Sequence, residues 1–186
     1  MKKLVIKTAL ITLAVIVAIS CVLMGFFALF FPKNLGNFFA KCGSYHLASS
    51  LYERNYERER TVDSLVLLID HLDPYKDDDT ADFIEDMIEI YGIETVSDAE
   101  YYYGKYVVSL AFDEDVDDAV LGAKQFVKEY GYTAHNPYRT LISDTKLRLR
   151  KGEWTQILNA LKEEREKLVD TLEIDKDIAI VEGKIN

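Results

Sequence analysis

The feature that most constrains this chain is an apolar run near its start. From Thr8 to Phe31 it reads TALITLAVIVAISCVLMGFFALFF, 24 residues without a charge. A helix needs roughly 20 apolar residues to cross a hydrocarbon core about 30 Å thick, so the run predicts a transmembrane helix over 8–31. Lys2, Lys3 and Lys7 precede it and Pro32-Lys33 closes it. Positive charge is retained on the cytoplasmic side, which predicts a single-pass signal anchor in the cell membrane. Residues 1–7 would be cytoplasmic and the rest extracytoplasmic. Lys33 and Lys41 weaken that bias without reversing it. A cleaved signal would have an apolar core of roughly 7 to 15 residues and a small-x-small site, whereas this core is longer and ends in Phe-Phe-Pro.

Within the run, Ala18-Ile19-Ser20-Cys21 resembles the bacterial lipobox, in which a small residue precedes a cysteine that is lipidated. A lipid-anchored form therefore stays open, although Val22–Phe31 continues apolar where acyl chains would already anchor the chain. The second cysteine, Cys42, lies outside the run, and no disulfide to Cys21 is expected. Few cysteines in an extracytoplasmic domain point to a bacterial source. Past the run the chain holds 19 of the 22 basic and all 32 acidic residues, a formal charge of −13. Such a surface repels phosphate backbones, which excludes nucleic acid as a partner.

Beyond Pro32 the sequence carries helix signals almost continuously, and an all-α domain is expected over 32–170 with a C-terminal tail over 171–186. Phe83, Ile84, Met87, Ile88 and Tyr91 recur at helical spacing and stop at Gly92, predicting a helix over 80–91. Ser97-Asp98-Ala99-Glu100 has the form of a capping box opening a helix to about Phe112. Val116, Ala119, Val120, Ala123, Phe126, Val127 and Tyr130 form the next stripe, ended by Gly131. Asn136-Pro137 should start a helix running to about Lys151. Trp154, Ile157, Leu158, Leu161 and Leu168 mark the last stripe.

Turns between paired helices are expected near Gly43, Pro74, Glu114 and Gly152, at separations of 31, 40 and 38 residues, which is repeat spacing. The segment from Asn34 to Tyr52 resembles a tetratricopeptide repeat. Leu35, Gly36, Phe39, Gly43, Tyr45, Ala48 and Tyr52 stand on that family's pattern of small and aromatic positions. Gly36 and Ala48 would let two antiparallel helices approach while Tyr45 and Tyr52 fill the space beside them. The sequence departs from the pattern at Pro32, at Asn55, where alanine is usual, and at Arg60, where a proline often closes the unit. The resemblance implies antiparallel helical hairpins in a solenoid that binds a protein or peptide in its groove. An irregular helical bundle is the alternative.

No catalytic constellation, cofactor-binding loop or metal spacing is recognisable, and the chain reads as a non-enzyme without cofactor or metal. His46, His71 and His135 are scattered, and Cys42 has no partner in sequence. Asp77-Asp78-Asp79 and Asp113–Asp118 suggest calcium, but a loop begun at Asp113 puts Asp118 where glycine and Lys124 where glutamate is required. Helix capping is the expected role of both runs. Tyr101, Tyr102, Tyr103 and Tyr106 cannot all face one core, because three consecutive helical residues spread over about 200°. These four are the expected partner contact. The function that emerges is an anchored extracytoplasmic scaffold for protein interactions, in secretion or envelope assembly by analogy of fold. A small-ligand-binding or enzymatic domain with a pocket hidden from sequence, and a purely structural spacer, are the competing readings.

Overall fold

The computed structural model describes residues 2–77 and 79–186, with backbone alone for residues 2–7 and 9. Helix accounts for 77% of the chain and no strand occurs among the described residues, so the fold is all-α. The chain divides into two compact units, Met1–His71 and Leu72–Asn186.

The first unit opens with helix α1, Lys2–Phe30, in which Leu10–Phe30 has a mean hydropathy of 2.8 and none of its window buried. This helix is long and apolar enough to cross a membrane. Three helices follow: α2 (Pro32–Lys41), α3 (Tyr45–Glu59) and α4 (Val62–His71). Pro32 occupies the first helical position of α2, where its missing N–H costs nothing. Gly43, with φ +76°, closes α2 as the Ser44 amide bonds back to Phe39 O at 2.9 Å. The α2–α3 hairpin is therefore formed at the expected turn. The Tyr52 ring packs directly over Gly36, where an added Cβ would come within 2.7 Å of it. The Tyr52 hydroxyl then donates to Asn37 Oδ1 at 2.8 Å, and Ala48 is fully buried. Tyr45 differs from expectation: it is 62% exposed, so of the two rings only Tyr52 is packed against the hairpin. Arg60 has φ +49°, a value the proline ring forbids, which accounts for the absence of a closing proline there.

The second unit contains α5 (Thr80–Asp86), continued by a π-helical turn (Met87–Tyr91), then α6 (Val96–Phe112), α7 (Val116–Tyr130), α8 (Pro137–Ser143), α9 (Lys151–Arg165) and α10 (Leu172–Ile185). At its centre α6 and α7 pack as a hairpin around a turn at Glu114, φ +67°. The other helices surround it, α5 and α8 against α6, α9 against α7, and α10 across α9 and α8. Tyr103, Val107, Phe126, Tyr138, Leu141, Ile157, Leu161, Ile174 and Val181 form one buried core. Full burial of each such side chain contributes about 1.5–3 kcal/mol.

Several expected boundaries move. The N-cap of α6 is Thr95, whose hydroxyl accepts from the Asp98 amide at 3.1 Å, so Ser97 lies inside the helix. Asn136 and Pro137 do open α8, with Asn136 Oδ1 accepting from the Arg139 amide at 3.1 Å. That helix stops at Ser143 instead of running to Lys151. Asp144 accepts from the amides of Lys146 and Leu147, at 2.7 and 3.2 Å, and so turns the chain out of the helix, leaving 144–150 without regular secondary structure. Side-chain competition of this kind draws a chain out of helix. Gly152 consequently sits within the first turn of α9 and makes no hairpin turn. The segment set apart as a tail contains α10, which buries Ile174, Asp177, Ile178 and Val181.

Candidate functional site

The four tyrosines singled out from the sequence all lie on α6, and its helical rotation separates them. Tyr103 is fully buried, edge-on to Phe126 at 5.6 Å, and Tyr102 is buried as well. Tyr106 is half-buried over Gly122, where an added Cβ would lie 2.9 Å from the ring. Tyr101 is 46% exposed. Burial, followed by the Glu129 carboxylate, pushes the Tyr103 phenol up to about 12. Burial, then Glu85 and neighbouring acids, does the same to Tyr106.

Tyr101 borders a cleft of about 290 Å³ formed by α6, α8 and the loop around Pro74. Gly104 sets its floor: an added Cβ would lie 3.3 Å from Thr140 Oγ1. On one wall the Tyr75 hydroxyl donates to Asp144; outside the cleft lining, Lys146 Nζ lies 3.9 Å from the Tyr75 ring centre, and Phe112 meets that ring edge-on at 5.6 Å. On the other, Lys105 Nζ lies 5.6 Å from the Tyr101 ring centre. Burial, then the Asp144 carboxylate, holds the Tyr75 phenol well above its ordinary range, so it is a neutral donor. Asp144 accepts from that hydroxyl and from two backbone amides. The cleft is thus lined by two aromatic rings, Tyr75 and Tyr101, with Glu100 and Lys105 beside them, which suits recognition of a side chain or planar group.

A larger hollow of about 560 Å³ runs between α7 and the end of α9. Leu121, Val127 and Leu168 give it an apolar floor, and Lys124, Lys128 and Lys167 stand on its rim. Leu121 is 61% exposed, large for an unpartnered leucine on a helix otherwise well patterned. Lys124 pairs with Glu163 at 2.7 Å and Lys167 with Glu164 at 2.8 Å. Lys128 has no ion pair among the described residues. The volume is that of a ligand or side-chain site.

The remaining candidates do not assemble into a centre. His46 and His135 are exposed, and His71 lies against Tyr52 with ring centres 4.6 Å apart and planes tilted by 54°, its Nδ1 2.9 Å from Leu67 O. Cys21 and Cys42 are exposed free thiols. No group of three His, Cys, Asp or Glu able to hold a metal occurs among the described residues. Asp115 caps α7, accepting from the Asp118 amide at 3.3 Å. In the other acidic run Asp77 accepts from the Asp73 amide at 2.7 Å, while Asp78 lies outside the described residues.

Sequence reasoning missed Tyr75, Asp144 and the Leu121 hollow. A signal for the last was present: Leu121 is apolar but off the stripe that α7 buries. No family model matches the chain, and no curated protein or solved structure matches it either.

Proposed function

We propose that this protein is a membrane-anchored interaction module, with α1 in the cell membrane and the acidic helical part held outside to bind a protein or peptide. The observation that carries the reading is α1 itself, 21 uncharged residues over Leu10–Phe30 with a mean hydropathy of 2.8 and none buried. A helix so exposed to water would cost far more than one in lipid. The α2–α3 hairpin, its close contact at Gly36 and its resemblance to a tetratricopeptide repeat support a degenerate repeat of that kind. Exposed Leu121 and Tyr101, each beside a hollow, are the surfaces on which we place the partner. The outward orientation rests on Lys2, Lys3 and Lys7, whose side chains lie outside the described residues.

The test is site-specific photocrosslinking in intact cells from Leu121 and from Tyr101. A discrete protein adduct is expected from at least one position, abolished at Leu121 by Lys128→Glu. Adducts to lipid alone, or none from either position, would refute the interaction reading. Protease added to spheroplasts should digest the acidic part while a cytoplasmic marker survives; protection of both would reverse the orientation. A second reading, a small amphipathic ligand, is favoured by the volume and apolar floor of the Leu121 hollow. Native mass spectrometry showing a small molecule lost on Leu121→Asp would select it.

A further inference from the structure

We infer that Arg58 and Lys33 form a contact for phospholipid phosphate at the point where α1 leaves the bilayer, an inference that rests on α1 being a membrane helix. The 21 residues of Leu10–Phe30 measure about 31 Å along a helix, close to the thickness of the hydrocarbon core. The Phe30 carbonyl then lies at the boundary between hydrocarbon and headgroups. The helical ladder is interrupted at Pro32, which supplies no N–H, with the Phe31 amide bonding to Phe27 O at 2.8 Å before it and the Leu35 amide to Phe31 O at 3.1 Å after it. The Phe30 carbonyl accepts from Arg58 Nη1 at 3.1 Å, from the last turn of α3. This bond seats the guanidinium at headgroup depth.

One of five N–H donors is used in that bond. The neighbouring Glu59 carboxylate is 3.7 Å from Nη2, beyond good hydrogen-bond length, and the Arg58 side chain is half exposed. The outward edge of the fork is therefore open, with the geometry that accepts phosphate oxygens in pairs. Lys33, in the first turn of α2 and three residues past the end of α1, is exposed and carries no ion pair among the described residues. No acidic residue precedes Glu53 in the sequence, so Lys33 has no acidic neighbour along the chain. Charge past α1 follows the same division: residues 32–71 are neutral, with 5 basic and 5 acidic side chains, whereas residues 72–186 hold 14 and 27. The ligand class that fits is an anionic phospholipid headgroup.

The full chain in micelles with equal phosphatidylglycerol and phosphatidylcholine, followed by native mass spectrometry, tests this. Wild type should retain phosphatidylglycerol preferentially, and the preference should fall about fivefold for each cation removed, the factor to which about 1 kcal/mol corresponds. Arg58→Gln with Lys33→Gln should abolish it. An unchanged lipid ratio in the double variant overturns the contact and leaves Arg58 as a cap of α1. If loss of the Phe30 bond disorders the hairpin by circular dichroism, Lys33→Gln alone decides, because Lys33 is exposed and outside the packing. An unchanged ratio there overturns the proposal. Vesicle flotation separates the two readings: a chain that floats with vesicles yet shows no lipid preference refutes the contact only, and one that does not float refutes the anchor.

Discussion

Arg139 of α8 and Asp177 of α10 form a pair in which the carboxylate is fully buried, Arg139 Nε donating to Asp177 Oδ1 at 3.0 Å. The Tyr132 hydroxyl donates to the other oxygen at 2.6 Å, and Arg139 also meets Glu173 at 3.0 Å. Removing one partner of a buried pair costs about 3–5 kcal/mol because the other charge is stranded. Arg139 keeps some exposure, so Asp177→Ala should lie near the lower end, about 3 kcal/mol. Urea unfolding followed by the fluorescence of Trp154, the single tryptophan, measures it. A loss below about 1 kcal/mol, the worth of an exposed pair, would show that α10 is not held by this bond.

Alkaline pH should destabilise the second unit. Tyr103 and Tyr106 have folded pKa values of about 12, raised from about 10 in an unfolded chain. Between those values the unfolded state has released protons the folded state keeps, so stability is full below about pH 10 and falls as pH rises toward 12. Phenolate absorbance should show these two rings titrating after the exposed tyrosines and together with loss of helix. Titration of every tyrosine near pH 10 with the fold intact would contradict their burial.

Glycine substitutions should split in sign. Gly36→Ala forces a Cβ to within 2.7 Å of the Tyr52 ring, and overpacking of this kind costs about 1–3 kcal/mol. Gly152→Ala, with nothing within 4 Å and an ordinary helical backbone, should gain up to about 1 kcal/mol from helix propensity. Thermal melts of both variants by circular dichroism check the pair.

Tyr138→Phe should be neutral or stabilising. The hydroxyl is fully buried without a hydrogen-bond partner among the described residues, and deleting an unsatisfied polar group relieves its desolvation. A loss above about 1 kcal/mol would reveal a partner for that hydroxyl.

Ile19→Arg, near the middle of the apolar span, should cost about 2.5–3.5 kcal/mol of insertion. Carbonate extraction should leave the wild-type chain with membranes and release part of the variant.

Much of the helical order was legible because it depends on local chemistry. Gly43, Gly92 and Gly131 adopt positive φ at the ends of helices where the sequence places them, and Asn136-Pro137 starts α8 as capping requires. The tail was not legible as a packed helix: Ile174, Ile178 and Val181 form a stripe, but Asp177 falls among them and reads as a polar interruption. Its burial makes sense only once Arg139 and Tyr132, 38 and 45 residues away, are seen to meet it. The end of α8 was hidden for a related reason, because Asp144 had to be recognised as an acceptor for the chain that follows it.

The candidate site divides in the same way. That three adjacent tyrosines on a helix could not share one core followed from rotation alone, but which ring would be exposed depended on where α7 and α8 pack against α6. Tyr101, Tyr75 and Asp144 border one cleft because Gly104 lets α8 approach α6. The sequence by itself determined the apolar helix, the all-α class and the acidity beyond it, since length, periodicity and charge act over a few residues at a time. Tertiary structure alone decided which polar groups are buried, which hairpins close and where hollows open. Those outcomes depend on side chains meeting across dozens of residues, and the pattern of any one segment carries no record of its distant partner.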